Sequence, residues 1–102
     1  MAVTTLISPT TATATSPAFT SSGKNNIGIC CNALLTTETI TLQILDRINN
    51  VWANAIYNST TYQLTATSNF MTISEDAQTY RLVKSITANA VGVGTVSDLT
   101  LV

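Results

Sequence analysis

The stretch from Glu38 to Tyr57, E-T-I-T-L-Q-I-L-D-R-I-N-N-V-W-A-N-A-I-Y, decides the fold class. Ile40, Leu42 and Ile44 fall at alternate positions, with Thr39, Thr41 and Gln43 between them. A strand sends successive side chains to opposite faces, so this half of the stretch reads as a half-buried strand with one dry and one wet face. The polar run Asp46-Arg47-Ile48-Asn49-Asn50 follows, and Val51 to Tyr57 supplies a second strand carrying the single tryptophan, Trp52. Asparagine tolerates the positive φ that a tight turn needs, so the pair is expected to form an antiparallel hairpin.

Outward from this hairpin the same pattern repeats. Ile27, Ile29, Cys31 and Ala33 alternate with Gly28, Cys30 and Asn32. Tyr62, Leu64 and Ala66 alternate with Gln63, Thr65 and Thr67. Phe70 to Ile73 is short and apolar, with Met71 and Ile73 on a common face, and Thr79 to Lys84 places Tyr80 and Leu82 inward. Ala90 to Val96 reads as a strand in which Gly92 and Gly94 mark a bulge or a close backbone approach. Turn chemistry separates these runs at Ser21–Asn26, at 58–61 and at 74–77. No stretch follows a helical period; Thr36 to Arg47, the best helix candidate, has β-branched residues at alternate positions. Seven to nine short strands, one every ~8 to 12 residues, indicate an all-β fold, an antiparallel β-sandwich of jelly-roll or immunoglobulin-like topology.

Residues 1–22 differ in composition. They are rich in Thr, Ala and Ser and contain Pro9 and Pro17, which exclude helix. Val3 to Ile7 and Ala12 to Phe19 are open to two readings, as edge strands or as an extended arm that orders against a partner. The domain division is an N-terminal arm over 1–22 and a sandwich over 23–102.

Charge is the outlier of the composition. Only 9% of the 102 residues are Asp, Glu, Lys or Arg, against roughly 25% in ordinary globular domains. A surface of hydroxyls and amides fits a protein covered by neighbours in an assembly, or one working outside a cell. The plainer reading is that β-branched Thr suits the wet faces of strands. Four basic residues, Lys24, Arg47, Arg81 and Lys84, at a net charge of −1 do not make the cationic patch that nucleic acid requires. No apolar run approaches the ~18 residues of a membrane span, and the first residues have neither the basic start nor the apolar core of a signal peptide. The chain is therefore expected to fold where it is made.

Chemistry is sparse. With no histidine in the chain, serine and cysteine triads and the commonest general base are excluded. Cys30 and Cys31 are adjacent and point to opposite faces of a strand; they read as free, mostly buried thiols rather than a disulfide or a zinc site. Glu75-Asp76 reads as a solvated loop tip. Asn58-Ser59-Thr60 matches a glycosylation acceptor, a triplet that arises by chance in so Asn- and Thr-rich a chain. Phe19, Trp52, Tyr57, Tyr62, Phe70 and Tyr80 read first as sandwich core and alternatively as a carbohydrate-binding surface. Arg81 is expected to face outward, as an ordinary exposed charge or an interface residue. No catalytic residue, metal site or cofactor is expected.

T-I-T-L-Q-I-L-D before the hairpin, V-W-A-N-A-I-Y after it, Y-R-L-V-K followed by I-T-A-N-A-V-G-V, and the Thr/Ala-rich start together resemble small β-sandwich virion proteins of tailed bacteriophages, over roughly residues 36 to 96. That resemblance implies a non-enzymatic capsid decoration or cement subunit, folded in the host cytoplasm and resident in the virion. Its partners would be the major capsid protein or other virion subunits and further copies of itself, a trimer being favoured. An arm can add a strand to a partner's sheet, which makes Val3, Leu6, Ile7, Pro9, Pro17 and Phe19 interface candidates beside Arg81. The alternative function is a glycan- or receptor-binding module of a fibre or tail.

Overall fold

A computed structural model describes residues 4–20, 27–73, 78–95 and 100–101, the side chains of 57, 100 and 101 excepted. Its strands are β1 (Thr5–Thr10), β2 (Ala14–Thr15), β3 (Phe19–Thr20), β4 (Ile27–Cys31), β5 (Thr39–Asp46) and β6 (Val51–Asn54). They continue as β7 (Ile56–Tyr57), β8 (Thr60–Thr61), β9 (Gln63–Thr65), β10 (Phe70–Ile73), β11 (Thr79–Lys84), β12 (Val91–Thr95) and β13 (Thr100–Leu101). The fold is an all-β antiparallel sandwich with no helix among the described residues. One sheet runs β1-β12-β4-β10; the other runs β13-β3-β11-β5-β6, with β2 also on β11 and β9 also on β5. The thirteen strands among the described residues exceed the seven to nine expected, because five of them have only two residues. Two residues are too few for alternation to reveal.

The hairpin of β5 and β6 forms as read, with Asp46 opposite Val51 and Gln43 opposite Asn54. Asp46 shapes its turn by accepting hydrogen bonds from the Ile48 and Asn49 amides at 2.9 and 3.2 Å, while Asn50 adopts a φ of 55°. The second strand is not continuous to Tyr57. It breaks at Ala55, whose amide donates to the Leu42 carbonyl, and the Leu42 amide donates to Tyr62 across the break. The intervening β7–β8 hairpin turns on Asn58 and Ser59, both at positive φ, and β9 then resumes the pairing with β5. Thus β6 and β9 act as one interrupted partner of β5.

The far side of β11 is built in the same way. Between β2 and β3 the chain leaves the ladder, and Ser16 fills the gap. Its amide donates to the Leu82 carbonyl and its hydroxyl accepts from the Leu82 amide, each at 2.8 Å. Residues 5–20, open in the sequence between strands and a free arm, are strands in both sheets. Leu6 and Ile7 are consecutive yet both buried, which simple alternation forbids. A register shift between Thr5 and Ile7 turns both toward the core.

The core lies between the sheets. Ile27 and Ile29 of β4, Ile40 and Leu42 of β5, Leu82 of β11 and Val91 of β12 are at most 1% exposed. Phe19 is fully buried against Tyr80, ring centroids 6.0 Å apart. Gly92 and Gly94 mark the close approach expected of them. A Cβ on Gly92 would meet the Pro9 ring at 3.0 Å, and one on Gly94 would meet the Thr4 carbonyl oxygen at 3.2 Å.

Candidate functional site

The wet face of β5 is the outer face of the larger sheet. Register places Arg81 beside Gln43 and Gln43 beside Asn54. Arg81 Nε donates to Gln43 Oε1 at 2.7 Å, and Gln43 Nε2 donates to Asn54 Oδ1 at 3.1 Å. The Arg81 guanidinium carbon stands 4.4 Å from the centroid of Trp52. Arg81 does face outward, and it is tied into a neutral amide and indole surface. Toward the other end of this face, Thr13, Thr15, Thr39, Thr41 and Val83 border an open groove of about 560 Å³ lined largely by hydroxyls.

Of the other interface candidates, Leu6, Ile7 and Phe19 are core residues. Their side chains pack inside the sandwich rather than on its surface. Pro9 and Pro17 are exposed. Val3 lies outside the described residues, as do Glu75 and Asp76. The aromatic residues are not all core. Phe19 and Tyr80 are, but Trp52 is half-buried on the outer face and Phe70 is 53% exposed. Tyr62 is half-buried, its hydroxyl donating to the Thr72 carbonyl at 2.8 Å and accepting from the Thr72 amide at 3.2 Å.

No protein-family model matches the chain, and no curated protein and no solved structure matches it either.

Among the described residues no three of His, Cys, Asp and Glu come together as a metal cluster. Cys30 and Cys31 are free and half-buried rather than mostly buried. Burial, and secondarily the neighbouring Cys30, push the Cys31 thiol up to about 11, so it remains a protonated, poor nucleophile at neutral pH. No helix of the described residues is long and apolar enough to cross a membrane.

Two features escaped the sequence reading. Lys84 is 1% exposed, and its ammonium donates to the carbonyls of Ala12 at 2.6 Å and Ser85 at 3.1 Å, binding the crossover after β1 to the end of β11. Its even spacing from Tyr80 and Leu82 was the available signal. The second is a set of exposed apolar side chains: Leu35, Ile48, Val51, Ile56, Phe70 and Ile86 are each 47% to 93% exposed. Ile48, Val51 and Ile56 cluster in sequence around β6.

Proposed function

We propose that the chain is a non-enzymatic structural subunit of a larger assembly, acting as a decoration or cement protein on a bacteriophage head. The observation that carries this reading is the surface. It is poor in charge, yet Ile48 and Ile86 stand 93% and 73% exposed. Single exposed apolar residues are ordinary, but with few charges to keep copies apart such a surface suits a protein that neighbours cover. The amide, indole and guanidinium face of Trp52, Arg81, Gln43 and Asn54 can dock on a shell through shape and hydrogen bonds. The resemblance to small virion sandwiches supplies the kind of shell. Docking then falls to the sandwich surface, because the described N-terminal segment is occupied within the fold.

The test is co-sedimentation of the purified protein with phage capsid shells. Pelleting with the shells at a saturable stoichiometry is expected. A protein that stays in the supernatant at every concentration overturns the capsid reading.

A further inference from the structure

The sheets end at edges that are not equally protected. β1 carries Pro9 and two register shifts. At β10 the Tyr62 hydroxyl takes up both the amide and the carbonyl of Thr72. Among the described residues, β2, β9 and β13 offer two or three residues each. β6, Val-Trp-Ala-Asn, has four residues in unbroken register with β5 and contains no proline and no charge. Exposed edges are normally blunted by such devices, because a row of unpaired amides and carbonyls recruits another strand.

We propose that β6 pairs antiparallel with β6 of a second copy of this chain, about a two-fold axis through Ala53. The backbone sets the register. Ala55 bonds to Leu42 of β5, so by alternation Ala53 and Val51 also face β5, while the amides and carbonyls of Trp52 and Asn54 point away from it. These outward groups lie symmetrically about residue 53. A two-fold at Ala53 sets Trp52 of each copy against Asn54 of the other and satisfies all of them, leaving Ala53 opposite its own copy.

Charge agrees with this occupant. The facing side chains, Trp52 with Asn54 and Ala53 with Ala53, are neutral, whereas a charged strand would find no counter-charge on β6. The apolar exposure agrees as well. Val51 and Ala53 share a face with the partly buried Ile44, yet Val51 is 52% exposed. The pairing sets Val51 against Ala55 of the other copy and brings Ile56, 68% exposed, to the neighbouring Asn50. A four-residue edge buries less than the ~800 Å² per partner of standard interfaces, so the dimer is weak and concentration-dependent. The inference concerns contact between copies alone and stands or falls separately from capsid docking.

The test is sedimentation equilibrium up to about 500 µM, where a contact weaker than the standard class is still populated. Wild type is compared with Ala53→Lys, Ala53→Glu and their equimolar mixture, with far-UV circular dichroism to confirm that each variant folds. Ala53 is exposed, so the fold should accept both charges. Expected are a wild-type monomer–dimer equilibrium, a dissociation constant raised at least about tenfold in each single variant, and recovery in the mixture as Lys meets Glu. A wild-type monomer throughout, a trimer, variants that associate like wild type, or a mixture that fails to recover each overturns the pairing. Loss without recovery would instead mean that β6 meets a different surface.

Discussion

Ser16 shows how much one hydroxyl carries in this fold. It is 6% exposed and stands where the strand partner of Leu82 is missing. Ser16→Ala leaves the buried Leu82 amide without an acceptor, and the expected cost is about 1–3 kcal/mol in urea denaturation. Among the described residues, two carboxylates contribute to the response to acid. Glu38 is held below its ordinary value of 4.5 by the Leu35 amide first and then the Ala88 amide. Asp46 is lowered from 3.8 by the Asn49 side chain first, then by the Asn49 and Ile48 amides. A depressed folded value means stability present in full above the ordinary values and lost as pH falls through the lowered ones. Unfolding midpoints should therefore decline below about pH 4.5. The double variant Asp46→Asn, Glu38→Gln should show a shallower decline; an unchanged slope would remove these two groups as the cause.

At the scale of elements, the central pair β5–β11 is flanked on each side by a broken strand, β6 with β9 and β2 with β3. The breaks cost ladder bonds, which Ser16 replaces on one side and the Ala55–Leu42–Tyr62 exchange on the other. On the smaller sheet, β1 lies so close to β12 that a Cβ on Gly92 would meet Pro9 at 3.0–3.1 Å, tighter than ordinary contact. Gly92→Ala should force Pro9 outward and destabilise the protein by about 1–3 kcal/mol, the range for overpacking. Thermal unfolding measures it, and an unchanged midpoint would show that β1 yields freely. The alternation of Ile40, Leu42, Tyr80 and Leu82 made these elements legible. The break at Ala55 was not, because V-W-A-N-A-I-Y is equally good strand throughout and only competition for the edge of β5 splits it.

For the whole molecule, the N-terminal segment is the part whose role changes most. It contributes β1 to one sheet and β2 and β3 to the other, and it buries Leu6, Ile7 and Phe19. Each such side chain stabilises by roughly 1.5–3 kcal/mol on burial, and a domain of this length has a total of roughly 5–15 kcal/mol. Deleting residues 1–20 should thus abolish cooperative unfolding, read by near-UV circular dichroism and one-dimensional NMR. A truncated chain that still melts cooperatively would return the segment to the status of an arm. The candidate interface was legible only in part. Arg81 was read as outward from parity, but the apolar exposure around β6 depends on which strands and loops pack over it, which no local pattern encodes.

The sequence by itself determined that the chain is β, where its longer strands lie, which faces they bury and where the central hairpin turns. These follow from side-chain alternation and turn chemistry, which act over a few residues. Only the tertiary structure decided which edge each strand occupies, that Lys84 is buried, that residues 4–20 pack into the sandwich and that β6 is left open. Those outcomes depend on pairing between residues up to 91 positions apart, as between Thr4 and Thr95. Competition among many similar strands for a limited set of edges settles them.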